Sequence, residues 1–88
     1  MALRTISMDI ILKAICTREV HVLNLKNCSI IAHTATSIEF VFPGSSIRFN
    51  FRNTQLAAAA YSSLDKILLG ESRTYDWSID ATVELSRE

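Results

Sequence analysis

The sequence predicts an α+β domain of two layers, an antiparallel sheet with helix packed on one face. Three features carry that prediction. Residues 74–85 alternate apolar and polar without an error, a phenylalanine-rich hairpin flanks Pro43-Gly44, and an amphipathic helix runs from Asn53 or Thr54 to Gly70. The expected order is an N-terminal short helix, a four-stranded antiparallel meander, one long helix packed on the sheet and a long C-terminal strand. All of it falls in one domain over residues 1–88, because so short a chain cannot build two cores.

Met8, Ile11, Leu12 and Ile15 follow the i, i+3, i+4, i+7 rule, so residues 7–17 read as the short helix. Ser7 is its N-cap, Asp9 lies near its positive end, and Lys13 and Arg18 lie toward its negative end. A strand over residues 2–7 is the weaker alternative at this end.

Residues 20–25 are β-branched and apolar, and Lys26-Asn27-Cys28 supplies a turn in which Asn tolerates positive φ. Residues 29–34 are apolar on both faces and take a central place in the sheet. Ile38, Phe40 and Phe42 alternate, Pro43-Gly44 fits the two middle positions of a type II turn, and Ile47, Phe49 and Phe51 alternate on the return. The two apolar faces coincide if Phe42 and Ile47 are near neighbours.

In the long helix, Leu56, Ala57, Ala60, Tyr61, Leu64, Ile67 and Leu68 fall in one arc at 100° per residue. The alanines let its backbone approach the phenylalanines, and Gly70 stops it. Ala58, Ser62 and Leu69 fall on the opposite side. After a loop at 71–73 comes the terminal strand, with Tyr75, Trp77, Ile79, Ala81, Val83 and Leu85 on one side. Asp76, Ser78, Asp80, Thr82 and Glu84 take the other. Extended, residues 74–85 would reach roughly 40 Å, about twice an ordinary strand, so the strand either bends or overhangs its domain and meets a partner.

Composition narrows the function classes. Nine acidic residues balance nine basic ones, so no global field draws in nucleic acid or an anionic membrane. No window reaches the roughly 18 apolar residues of a membrane span, and the start of the chain carries no cleavable signal pattern. The two cysteines read as free thiols, and the expectation is a cytoplasmic protein.

Cys16, His21, Cys28 and His33 repeat a Cys-x4-His spacing. Zinc needs its ligands within about 2.0–2.3 Å of one ion, whereas Cys28 and His33 on one strand point to opposite faces roughly 16 Å apart. A hairpin centred on Asn27 would instead set His21 opposite His33. No metal or other cofactor is expected. No nucleophile with an orienting base is legible, and two glycines leave no phosphate-binding loop. No enzymatic activity is predicted.

Arg48, Asn50 and Arg52 form the polar face beside Phe49 and Phe51 and could hold a nucleic acid strand. Alternation turns the arginines away from the rings, and Asp80 and Glu84 of the terminal strand could meet them instead. The favoured reading is a non-catalytic protein-protein interaction module. It pairs with itself as a homodimer through Ile79, Ala81, Val83 and Leu85, and it binds another protein as well. A small nucleic-acid-binding protein using Arg48 and Arg52 is the alternative.

Overall fold

The computed structural model describes residues 3–4, 10–70 and 74–87. Within them the chain is a mixed α+β fold of two sheets and one long helix. Seven strands are β2 (Ile11–Ile15), β3 (Val20–Asn24), β4 (Ile30–His33), β5 (Ser37–Phe42), β6 (Ser45–Phe51), β7 (Thr74–Ser78) and β8 (Ala81–Arg87). Leu3–Arg4 adds a two-residue strand, β1, and the helix α1 spans Thr54–Leu69. One sheet has the order β1-β4-β5-β6-β8 and the other β3-β2-β7.

The first correction is at the N-terminal end, where β2 replaces the expected short helix. Ile10, Leu12, Ala14 and Cys16 alternate into the core, while Lys13 points outward. Ile11 and Ile15 are half-buried on the other face, so both faces are apolar and the period-two pattern is masked. A short apolar run of this kind fits either period, and β-branched isoleucines tip it toward strand. Ser7, Met8 and Asp9, needed for the helix cap and first turn, lie outside the described residues, as does the loop at 71–73.

The second correction concerns the meander. Only β4, β5 and β6 form one; β3 pairs antiparallel with β2 in the other sheet. The expected hairpin at Asn27 is a single 3-10 turn over Leu25–Asn27, capped by the Asn24 side chain, which accepts from the Lys26 N–H at 3.1 Å. Leu25 is wholly buried in that turn, and its N–H donates to the Ile10 carbonyl at 2.8 Å. A buried apolar side chain thus pins the crossing from one sheet to the other.

The phenylalanine hairpin forms with Phe40 opposite Ile47, Ile38 opposite Phe49 and Phe42 opposite Ser45. Gly44 takes φ +78°, the left-handed value the second middle position of a type II turn requires. In α1 the expected arc faces inward, with Ala57, Ala60 and Leu64 buried. The Asn53 side chain caps the first turn, accepting from the Leu56 N–H at 2.8 Å. Gly70 ends the helix for a reason other than backbone freedom, since its φ is −77°. A Cβ there would run into the Tyr75 phenol, whose Cζ would lie 3.0 Å away.

The third correction is the long terminal strand, which neither overhangs nor stays single. β7 lies parallel to β2, the Ile79 N–H donates to the Ile15 carbonyl at 2.9 Å, and the chain turns through Asp80 into β8. β8 pairs antiparallel with β6 from Ala81 opposite Phe51 to Arg87 opposite Ser45. The alternation continues because the strand switches sheets at a corner while wrapping one core.

At the centre of that core Trp77 is 1% exposed. Its ring meets Phe49 and Phe40 edge-on at 5.4 and 5.8 Å between centroids, and those two also meet edge-on at 5.8 Å. The indole N–H donates to the Ala60 carbonyl of α1 at 3.1 Å. One side chain therefore joins both sheets and the helix. Trp77→Ala and Phe49→Ala should each lower stability by about 3–5 kcal/mol in urea denaturation; a loss below about 1 kcal/mol would mean the triad is not the core.

Candidate interaction surface

The structure separates the residues of the Cys-x4-His pattern. Cys16 and His21 belong to the β2–β3 hairpin, whereas Cys28 precedes β4 and His33 is the last residue of β4, in the other sheet. His21 and His33 are not cross-strand neighbours: β3 pairs with β2, and His33 stacks on Tyr61 of α1 at 3.9 Å between ring centroids. Among the described residues no three His, Cys, Asp or Glu side chains come close enough to hold a metal ion. Both thiols are buried. Burial pushes the Cys16 thiol up, with the Glu19 carboxylate adding to it; burial pushes Cys28 up against opposing hydrogen bonds from Ile30 and Val41.

The basic face is neutralised where it stands. Arg48 lies opposite Glu39 on β5 and Glu84 on β8 and reaches their carboxylates at 3.5 and 3.3 Å. Arg52 is ion-paired with Asp80 at the sheet-switching corner. Asn50 sits opposite Thr82, whose hydroxyl donates to the Asn50 carbonyl at 3.4 Å. Phe49 and Phe51 face the core, on the opposite side from these arginines.

Of the expected dimer residues, Ile79 sits at the corner, and Ala81, Val83 and Leu85 point to the inner face of β8. Ile79, Ala81 and Val83 are half-buried, and Leu85 is 64% exposed. β8 is the last strand of its sheet, so one long side of it has no strand beside it among the described residues.

The direction of each backbone group along that side follows from the ladder. The Phe51 N–H donates to the Thr36 carbonyl on the β5 side at 2.8 Å. Successive residues of a strand turn their polar groups to opposite sides, so Ser46, Arg48 and Asn50 address β8. Their partners Ser86, Glu84 and Thr82 answer them. Ala81, Val83, Leu85 and Arg87 therefore direct their N–H and C=O outward, along the free edge.

Two clefts lie along this strand. One, of about 360 Å³, falls between Ala81 to Val83 and the β2–β3 turn and is rimmed by Arg18, Glu19, Arg52 and Asp80. The other, of about 220 Å³, lies between β3 and the far end of β8, where His21, Val22, Phe42 and Ile47 surround Leu85. Val22, 66% exposed, was not singled out from sequence. The alternation of His21 and Leu23 inward against Val20 and Val22 outward is the signal that could have found it. A third cleft, about 650 Å³, runs between His33 and the Tyr61 side of α1.

No helix among the described residues is long and apolar enough to cross a membrane. Comparison with family models, with curated proteins and with solved structures finds no match to this chain.

The Arg48–Glu84 pair is solvent-exposed, so a double-mutant cycle with Arg48→Ala and Glu84→Ala should give a coupling of about 0.2–1 kcal/mol, shrinking in molar salt. The thiols set a pH dependence. With folded values raised, their contribution to stability is whole below about pH 8.5, the ordinary thiol value, and is lost as pH climbs through the folded values. The fall in urea midpoint between pH 8 and 10 should be steeper for the native chain than for the double variant Cys16→Ala, Cys28→Ala. Equal slopes would show that neither thiol is held protonated by the fold.

Proposed function

We propose that this protein is a small non-catalytic protein-protein interaction module acting as a homodimer, two copies joining through the outer edge of β8. The observation that carries the reading is that edge. It has seven residues, no proline, outward backbone donors and acceptors at alternate positions, and an exposed leucine beside a cleft that Val22, Phe42 and Ile47 help to line. Isolated folds commonly blunt such an edge with proline, lysine, a bulge or a covering segment. A chain of zero net charge has no overall repulsion to keep copies apart. A second copy covers the edge most simply, since a two-fold axis closes the assembly. Binding of a further protein and a cytoplasmic place of action belong to the same reading.

Nucleic acid binding through Arg48, Asn50 and Arg52 is the competing reading, and it would require the arginines to leave Glu39, Glu84 and Asp80. Oligonucleotide affinity falling steeply with salt would favour it.

Light scattering at micromolar concentration should give about twice the chain mass of 9.9 kDa. Leu85→Pro separates edge pairing from folding, because the Leu85 N–H faces outward and takes no part in the β6 ladder. That variant should be a folded monomer, whereas Glu84→Pro, which removes a ladder donor, should be destabilised. A native chain that stays monomeric at hundreds of micromolar would overturn the homodimer.

A further inference from the structure

The edge of β8 admits few ways of pairing with its own copy, and the side chains choose among them. Cross-strand neighbours in an antiparallel pair lie on the same face, and residues with outward backbone groups must meet one another. A two-fold axis that keeps at least three pairings of these outward residues falls on Val83, Glu84 or Leu85; on Thr82 or Ser86 it would keep two. On Glu84 it would set two carboxylates directly opposite, with Cα atoms about 4.5 Å apart, an unfavourable like-charge contact. On Val83 it would draw the partner strand over the corner cleft, whose rim of Arg18, Glu19, Arg52 and Asp80 would lose water.

On Leu85 the axis avoids the like-charge contact, and Arg87 of the other copy lies beside Val83, short of the corner at Arg52 and Asp80. Glu84 then faces Ser86 of the other copy, a hydroxyl that can donate to the carboxylate. The two Leu85 side chains meet beside the cleft that Val22, Phe42 and Ile47 line together with His21, Ser45 and Ser46, and the most exposed apolar residue of the strand is covered. Resting on the homodimer reading above, we infer that the dimer is formed by antiparallel β8 strands with Leu85 on the two-fold axis. Val83 of each copy then pairs with Arg87 of the other, and Ala81 is left outside the ladder.

Cysteine scanning with disulfide capture reads the axis position. On the axis the two Cα atoms lie about 5.5 Å apart, inside the range a disulfide spans. Two residues off it, equivalent positions are displaced by about 13 Å along the strand. Ala81→Cys, Val83→Cys, Glu84→Cys and Leu85→Cys are oxidised in parallel with the native chain, whose own thiols are buried and supply the blank. Covalent dimer should be most abundant for Leu85→Cys and at blank level for Ala81→Cys. A maximum at Val83 or at Glu84 would overturn this register while leaving the homodimer standing. Blank yields throughout, with light scattering still at twice the chain mass, would overturn it too and place the dimer contact on another surface. A mass of one chain would bring down the homodimer and the register together.

Discussion

The Trp77 indole is the contact on which the rest of the fold depends. It leaves β7 in the three-stranded sheet, lies edge-on to Phe40 and Phe49 of the five-stranded sheet, and donates to the Ala60 carbonyl in α1. Aromatic edges meeting at about 5–6 Å bury a large area in a directional way, and the indole donor fixes the helix along its axis as well as around it. The alanines at 57 and 60 follow from the same constraint, because a longer side chain on that face would hold the helix away from the indole. The domain is small, so much of its hydrophobic stabilisation passes through this one junction.

The position of Trp77 also sets the path of the last strand. Residue 77 must reach the centre from β7, while residues 81–87 complete the other sheet beside β6, so the chain has to change sheets within a few residues. Asp80 occupies that corner and is held by Arg52 from the end of β6. The same arrangement leaves β8 as the last strand of its sheet among the described residues, with its last inward apolar residue, Leu85, largely exposed. The exposed edge is a consequence of closing the core around Trp77.

Much of this was legible in the sequence where one face of an element is apolar and the other polar. The α1 arc, the alternation from Ile38 to Phe51 and the terminal strand all have that character, as does the meeting of Arg48 and Arg52 with Glu84 and Asp80. What was not legible lies where that contrast disappears. β2 is apolar on both faces, so helical and strand periods fit it equally. The crossing at Leu25 looks like the end of a strand followed by a turn, because burial of a turn residue is decided by the opposite sheet and not by its neighbours in sequence. The excess length of residues 74–85 did not point to the free edge of β8; the length is divided between two sheets, and the edge follows from pairings far apart in the chain.

The central claim, that the outward edge of β8 is covered by its own copy, can be read one amide at a time. Hydrogen exchange followed by NMR at two protein concentrations distinguishes the inward ladder from the outward one. The amides of Thr82, Glu84 and Ser86 should be protected at both concentrations through β6. Those of Val83, Leu85 and Arg87 should gain protection only as concentration rises, with Ala81 remaining fast. Fast exchange at Val83, Leu85 and Arg87 at every concentration, beside a protected inner ladder, would contradict the account.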